Sequence, residues 1–383
     1  MSVFAQLVGQ PHIVLALQGA VAASRTGSDS QEMTSTWLFT GPPGSGRSSA
    51  AVAFASALVC SEGGCATCID CRSVSAGGHG DVEIIRTEGL SIKIDEVREL
   101  LQRVAWAPSV GGWRVVVIED ADRLTESAAS ALLKAIEEPG SRTVWLLCAP
   151  TLFDVPVTIR SRARHLQLRT PSTSEVARVL IERDGISPQM ADFAARVSQG
   201  HIGRARHLAS DEAIRARRAT ILNLPFTITS IASAFAAAAT LVALATEEAN
   251  TASSVRDEKE SQALGMAWGQ GATGRGMATG GAKALKELEK EQKSRATRMV
   301  RDSLDGALLD LATLYRDVLL AQSKITDSFI NNDLSEKIIQ LAGAVAPARV
   351  LQNISAILQA RTNLNFNAAP LLTIEALMCA LHH

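Results

Sequence analysis

The feature that most constrains the fold is a glycine-rich turn between a short apolar strand pattern and an alanine-rich helix. Residues 36–40, Thr-Trp-Leu-Phe-Thr, have the composition of a buried strand. The turn Gly-Pro-Pro-Gly-Ser-Gly-Arg-Ser follows at residues 41–48, and a helical pattern continues to about Val59. This order predicts a phosphate-binding loop (P-loop), because glycines let backbone N–H groups turn inward and a helix N-terminus favours anions.

The loop departs from the usual P-loop pattern at Arg47, where the pattern has Lys. A Lys ammonium is a compact charge that reaches the outer phosphates of ATP, whereas the Arg guanidinium is bulkier and planar. Ser48 keeps a hydroxyl that could ligate Mg²⁺. We therefore predict that ATP is bound weakly or not at all. The candidate nucleotide-binding residues of this degenerate loop are Gly41, Gly44, Gly46, Arg47 and Ser48.

Two acids, Glu119 and Asp120, follow a second apolar strand pattern at residues 114–118. At the carboxyl end of a strand beside a P-loop, such acids could hold Mg²⁺ and orient an attacking water. The alternative is that the two acids are solvated residues at a capped strand end. We favour this alternative, in which they do not catalyse ATP hydrolysis. Both residues are counted with the degenerate nucleotide site.

Strand and helix patterns alternate through residues 1–168, which predicts a parallel sheet covered by helices. Residues 169–222 contain three short helical patterns and are predicted to form a small helical lid domain. No strand pattern follows, so residues 223–383 are predicted to form an all-helical domain, with a Gly-rich loop at 265–281 and a long helix at about 282–322.

Residues 219–246 carry no charged side chain. Their length would admit a membrane span, but Asn223, Pro225 and the many Ser, Thr and Ala residues favour a buried or interface helix. The N-terminus lacks the basic segment and apolar core of a signal peptide. We expect a cytoplasmic protein without a membrane partner.

Four of the six cysteines stand within twelve residues, at Cys60, Cys65, Cys68 and Cys71. Four soft ligands this close can surround one tetrahedral zinc, and a closed four-sulfur site is structural. Other metals and free thiols remain alternatives, and an iron–sulfur cluster or a disulfide fits less well. The sequence predicts a zinc module inserted after the P-loop helix.

The formal net charge is -1, which excludes the overall basic character of a dedicated nucleic-acid binder. This charge, and the position of the cysteines inside a P-loop domain, also disfavour a free-standing zinc DNA-binding module. The basic stretch 283–301 is interleaved with Glu287, Glu289 and Glu291. A solvated helix face is the default interpretation of that stretch.

Two further stretches resemble the clamp-loader subunits of bacterial DNA polymerase III, which belong to the AAA+ family. They are residues 120–125, Asp-Ala-Asp-Arg-Leu-Thr, and 131–139, Ala-Leu-Leu-Lys-Ala-Ile-Glu-Glu-Pro. Residues 160–163, Arg-Ser-Arg-Ala, are similar to the Ser-Arg-Cys motif of that family. The resemblance implies that Arg162 is an arginine finger that acts in trans on the ATP of a neighbouring subunit. The alternative is a surface ion pair.

The resemblance also implies departures from an active ATPase. AAA+ ATPases present Asp then Glu where this chain has Glu119 then Asp120, and the polar first sensor is replaced around Cys148. Arg204 matches the position of the second sensor Arg. A four-Cys insertion after the P-loop helix is shared with the family, but its spacing differs here.

The expected role is that of a subunit with little or no ATPase activity in a hetero-oligomer. The resemblance implies an all-helical collar at residues 223–383 and tau/gamma and delta subunits as partners. It further implies the sliding clamp and primer-template DNA as partners of the assembled complex. The alternative is an ATP-hydrolysing AAA+ motor subunit or a related AAA+ helicase.

Overall fold

The computed structural model describes residues 2–26, 32–87, 89–104, 108–109, 112–267 and 281–382. The chain divides into two compact units, Met1–Ser210 and Asp211–His383. The first unit contains the predicted sheet domain and the predicted helical lid as far as Ser210. The helix at the end of the predicted lid, which begins at Glu212, belongs to the second unit.

The first unit is built on a five-stranded, wholly parallel sheet with the strand order β2-β3-β4-β1-β5. The predicted parallel-sheet P-loop fold is therefore confirmed. The strands are β1 (Thr36–Thr40), β2 (Val82–Ile85), β3 (Arg114–Ile118), β4 (Thr143–Ala149) and β5 (Arg164–Gln167).

Each face of the sheet packs on its own apolar core, because alternate side chains of a strand point to opposite faces. Trp37 and Phe39 of β1 lie in one core, whereas Leu38 lies in the other. The three central strands are buried along almost their whole length. This burial explains their nearly continuous apolar sequences.

The helices of the first unit cover both faces and then form the lid. Around the sheet they are α1 (Pro11–Thr26), α2 (Arg47–Val59), α3 (Ile69–Ser75), α4 (Ile94–Val104), α5 (Glu126–Glu137) and α6 (Val157–Arg160). In the lid region they are α7 (Thr173–Glu182), α8 (Pro188–Val197) and α9 (Ile202–Ser210). Helix α7 begins with a capping box, in which the Ser172 side chain accepts from the Glu175 N–H and the Glu175 side chain accepts from the Ser172 N–H.

Within its described residues, the second unit contains helices and no strands. They are α10 (Glu212–Asn223), α11 (Ile231–Ala267), α12 (Gly281–Gln322), α13 (Ser335–Ala344), α14 (Pro347–Asn365) and α15 (Pro370–Leu381). The predicted long helix is α12. Of the predicted Gly-rich loop 265–281, residues 265–267 end α11 and Gly281 begins α12. Residues 268–280 lie outside the described part of the chain.

A buried polar network joins α10 to α12. Arg218, 4% exposed, donates from Nε to Asp310 at 3.0 Å and from Nη2 to the side-chain oxygen of Asn331. The Asn331 amide in turn donates to Asp317 at 2.9 Å. Because removing one partner would leave a buried charge unpaired, this network fixes α10 to the second unit.

Helix α11 takes in the uncharged stretch noted in the sequence. Within the described residues it is the one unbroken helix that is long and apolar enough to cross a bilayer. Its buried residues recur at helical spacing, from Ala234 through Ala238 and Leu241 to Ala245, and they lie in the core of the second unit. These contacts are those of a helix packed in a bundle. Length and composition alone do not indicate a membrane span, because the core helices of other proteins meet the same criteria.

Candidate functional site

The P-loop leaves the end of β1 and enters α2, as the strand–turn–helix pattern predicts. Gly41 donates its N–H to the Pro150 carbonyl, which ties the start of the loop to the end of β4. Gly44 and Gly46 have φ angles of 85° and 91°, in the left-handed region that favours glycine. A Cβ atom at Gly44 would stand 2.6 Å from His201, so a side chain there would clash.

Arg47 is the first residue of α2, and its guanidinium turns back onto the loop. Its Nη1 donates to the carbonyl oxygen of Gly41. A P-loop binds phosphate with inward N–H groups and a free cationic side chain. Here the Arg47 guanidinium, which stands where a P-loop has its lysine, bonds to the loop itself. Ser48 follows it in the first turn of α2, as predicted.

The acids predicted beside the loop lie where β3 ends. Glu119 forms an ion pair with Arg86, at 3.0 Å between Oε1 and Nε, and Arg86 follows the neighbouring strand β2. Asp120 comes next, before Asp122, whose pKa is raised above its ordinary value by burial. Arg86 and Asp122 were not among the site residues predicted from the sequence. The position of Arg86 directly after a strand that pairs with β3 was the available signal.

Cys148, near which the resemblance leads us to expect a polar first sensor, lies in β4 next to Phe39 of β1. Its side chain is fully buried, and burial raises the pKa of its thiol well above the ordinary value. A buried neutral thiol is a weak hydrogen-bond donor. It cannot replace a polar side chain that would bind a phosphate oxygen or position a water.

The lid approaches the P-loop through His201. This residue precedes α9, its ring nitrogen Nδ1 accepts a hydrogen bond from the Arg204 N–H, and burial lowers its pKa. Arg204, the predicted second-sensor residue, therefore lies in the first turn of α9, three residues after the histidine that lies against Gly44. The contact of His201 with the loop could not be predicted from the sequence, because the two segments are distant in the chain.

Gln10 is a second residue near the loop that the sequence did not reveal. It is 1% exposed and donates from Nε2 to the carbonyls of Ser45 and Arg169. Its Oε1 accepts from the Arg169 N–H. A glutamine in an irregular segment carries no pattern, so only the three-dimensional contacts identify it as a support for the P-loop.

Arg162, the predicted arginine finger, lies just after α6 at the surface. Its Nη2 is 2.7 Å from Oε1 of Glu137 at the end of α5, and both side chains are over 40% exposed. Its Nη1 donates to the Thr158 carbonyl at 2.8 Å. Its Nη1 also donates to the Ser161 hydroxyl at 3.1 Å. The guanidinium is thus held in an exposed position.

The four clustered cysteines come together as predicted. Their sulfur atoms all lie within 4.8 Å of one another, with 3.8 Å between Cys60 and Cys65 and 3.6 Å between Cys60 and Cys68. Sulfurs of a tetrahedral zinc site, each about 2.3 Å from the metal, are about 3.8 Å apart. The spacing therefore fits a metal ion ligated by Cys60, Cys65, Cys68 and Cys71.

Backbone N–H groups and a hydroxyl support the cysteine cluster. The Cys68 N–H donates to the Cys65 sulfur at 3.3 Å, and the Cys71 N–H to the Cys68 sulfur at 3.4 Å. The Thr67 side chain and nearby N–H groups lower the pKa of Cys65 to about 6, whereas burial raises that of Cys71. A thiolate is the form that ligates a metal, so Cys65 is prepared for this role.

A parallel sheet with a P-loop at its carboxyl edge, followed by short helices, defines the class of P-loop proteins. The chain matches a family model described as DNA polymerase III, delta subunit, over residues 18–172. It matches a second, described as DNA polymerase III, delta subunit, C terminal, over residues 299–380. Together these regions take in more than half of the chain, which belongs to the delta-type subunit family of DNA polymerase III.

Individual relatives match over shorter regions. DNA polymerase III subunit delta' of Bacillus subtilis is 28% identical over 218 residues, 56% of this chain and 64% of that protein. Subunit gamma/tau of Mycobacterium tuberculosis is 32% identical over 171 residues, 43% of this chain and 28% of that protein. The match to the solved structure of a DNA polymerase III gamma subunit-related protein from Thermotoga maritima covers 95% of this chain and 98% of that protein. The identity is 14% and the TM-score is 0.39. The chain thus spans less than two thirds of the two sequence relatives.

Proposed function

We propose that this chain is a delta-prime-type subunit of a bacterial clamp loader, which completes the loader ring without hydrolysing ATP. The observation that carries the proposal is the hydrogen bond from Arg47 to the Gly41 carbonyl. It accounts for a P-loop that keeps its backbone shape while its cation is directed away from a phosphate. The reversed order of Glu119 and Asp120 and the buried Cys148 support the same conclusion.

The active contribution of the subunit is Arg162, which we assign as an arginine finger for the ATP site of a neighbouring tau/gamma subunit. A guanidinium is always charged and stabilises charge on a transferring phosphoryl group. Exposure at the surface, beside the carboxylate of Glu137, supports this role. On docking, phosphate oxygens would replace that carboxylate.

The partners are the tau/gamma and delta subunits, and through the assembled complex the sliding clamp and primer-template DNA. The second unit acts as the collar that holds the subunits together. Its helix α11 presents exposed, uncharged residues, among them Ile231 (64% exposed) and Phe235 (46% exposed). An exposed apolar surface of this kind is typical of protein interfaces. A role in chromosome replication assigns the protein to the cytoplasm.

The metal at the cysteine cluster is structural zinc in this proposal. Four sulfurs leave no open coordination position for a substrate, so the ion stabilises the segment between α2 and α3 rather than taking part in chemistry. Cys60 and Cys71 are buried and anchor the module on the core of the first unit.

The direct test is phosphate release by the purified chain, alone and with tau/gamma subunits, clamp and primed DNA. We expect turnover below about 0.1 per second for the isolated chain, since well-built phosphoryl-transfer sites run at about 1–100 per second. Addition of the chain should stimulate hydrolysis by the tau/gamma subunits. Rapid turnover by the chain itself would favour the motor or helicase alternative.

A further inference from the structure

The long helices α11 and α12 extend beyond the core of the second unit as an antiparallel pair. Within the described residues, the apolar core takes nothing from α11 beyond Ala245 and nothing from α12 before Val300. The two helices continue for several turns past these points. We call residues 250–267 and 281–299 the arm.

Polar contacts hold the inner faces of the arm together. Arg295 is 6% exposed and donates to both carboxylate oxygens of Glu260, at 3.1 and 2.6 Å. Gln292 donates to the Asp257 carbonyl at 2.9 Å. The pairing of 292 with 257 and 295 with 260 fixes which face of α12 meets α11.

The opposite face of α12 carries a row of exposed lysines. At about 100° per residue, Lys283, Lys286, Lys290 and Lys293 fall within an arc of about 80°. The centre of this arc lies about 160° from Arg295, the residue that contacts α11. Lys283 is 3.9 Å from Glu287, whereas the other three have no ion-pair partner among the described residues.

The acids of this stretch do not interrupt the row. At the same angular spacing, Glu287 and Glu291 lie on one side of it and Glu289 on the other. All three are exposed. Lysines and glutamates that alternate in the linear sequence thus lie on different faces of the helix. They form a narrow basic row with acidic borders, about 15 Å long from Lys283 to Lys293.

We propose that this lysine row is a sequence-independent contact for the sugar–phosphate backbone of a nucleic acid duplex. One strand of a duplex is a linear polyanion, with a charge every 3.4 Å or so along the axis, and it matches a narrow row of cations. A flat anionic membrane matches less well, because it would also meet the acidic borders. Membrane-surface helices moreover insert an apolar face beside their lysines, whereas Leu285 and Leu288 lie on the side that faces α11.

The test uses the full chain and a labelled duplex of about 30 base pairs, with binding followed by anisotropy over a range of salt concentrations. DNA is chosen because the proposed function places the protein at replication; the site itself is argued from the arm alone. The test variant is Lys286→Gln/Lys290→Gln/Lys293→Gln. The matched control, Lys93→Gln/Lys134→Gln/Lys324→Gln, removes the same charge from exposed positions on other parts of the chain.

Each lysine that neutralises a phosphate contributes about 0.9 to the slope of log K against log salt. We expect the test variant to lower that slope by about 2–3 and to weaken binding at least tenfold at low salt. The control should bind like the wild type, duplexes of unrelated sequence should bind alike, and Glu287→Gln/Glu289→Gln/Glu291→Gln should bind more tightly.

Three results would overturn the proposal. They are no duplex binding by the wild type at the lowest salt, equal loss in test and control variants, or lysine-dependent binding to phosphatidylserine vesicles without duplex binding. Circular dichroism of each variant checks its fold. Assembly with tau/gamma subunits, measured by gel filtration on the same samples, reports separately on the proposed loader function.

Discussion

The guanidinium of Arg162 lies 2.7 Å from the carboxylate of Glu137, across the gap between α6 and α5. Both side chains are over 40% exposed, so the pair contributes little to stability. The ion pair instead orients Arg162, because Glu137 and the Thr158 carbonyl together hold the guanidinium in one place. An arginine that is oriented before a partner arrives loses less side-chain entropy when it binds a phosphate.

The first prediction concerns Arg47. Replacing Arg47 with Lys removes the hydrogen bond to the Gly41 carbonyl and returns a compact ammonium to the loop. We expect ATP affinity to rise about tenfold or more, the scale of one charge-assisted hydrogen bond. Turnover should stay below about 0.1 per second, because Glu119, Asp120 and Cys148 are unchanged.

Isothermal titration with ATP and Mg²⁺ measures this change. Arg98→Lys, at an exposed position of α4, is the matched control and should leave nucleotide binding at the wild-type level. Equal ATP affinity of wild type and Arg47→Lys would show that the contact with Gly41 is not what weakens the loop.

The second prediction concerns the cysteine cluster. Protein never exposed to chelator should contain one zinc per chain by elemental analysis. Cys68→Ser should lose most of this zinc and make residues 60–75 sensitive to protease, because the metal supplies much of the free energy that orders such a segment. Cys379→Ser, outside the cluster, should keep it. Less than about half an equivalent of zinc in the wild type would argue against the site.

The third prediction follows from Glu175. Two hydrogen bonds from Arg169, at 2.6 and 3.1 Å, together with the Ser172 N–H, lower the pKa of this carboxyl to about 2. A carboxyl whose pKa is lower in the folded than in the unfolded state stabilises the fold above its unfolded value of about 4.5. That contribution is lost as the pH falls towards 2.

Glu175→Gln should therefore reduce stability at pH 7 by about 1 kcal/mol, or about 2–4 °C in Tm. The difference from wild type should shrink as the pH is lowered from 4.5 to 3. Glu182→Gln, exposed at the end of the same helix, is the control and should change Tm little. A difference that is independent of pH would show that the ion pair with Arg169 is not its source.

The fourth prediction concerns the exposed face of α11. Ile231→Glu/Phe235→Glu places two charges on the surface assigned to the collar interface. We expect the variant to remain folded and to lose association with tau/gamma subunits in gel filtration, since buried unpaired charges are costly at an interface. Val255→Glu, 63% exposed on the same helix, should assemble normally.

The sequence was sufficient where the chemistry is local. The strand, glycine turn and helix around residues 36–59 form one continuous pattern, and the four cysteines lie close enough in sequence to predict their cluster. The capping box of α7 depends on residues three positions apart. Each of these features could be predicted because its interacting groups are neighbours in the chain.

Contacts between distant segments could not be read in the same way. Glu137 lies 25 residues before Arg162, and Arg86 lies 33 before Glu119; no local pattern pairs them. The short strand β5 was missed because its four residues at the sheet edge alternate between exposed and half-buried. Assignment of α10 to the second unit depends on the burial of Arg218 with Asp310, which only packing reveals.

The central claim, that this subunit supplies a cation to a neighbour's ATP, is tested most directly by Arg162→Ala in the reconstituted loader. Clamp- and primer-stimulated ATP hydrolysis is measured alongside gel filtration of the complex. Arginine fingers contribute about 10³–10⁵ in rate in GTPases. The ATP site that Arg162 serves should therefore lose nearly all of its hydrolysis, and the total rate should fall by the fraction that this site contributes. The complex should stay intact, and Glu137→Gln should retain hydrolysis. An unchanged rate in an intact complex would contradict the claim and leave Arg162 as a surface ion-pair residue.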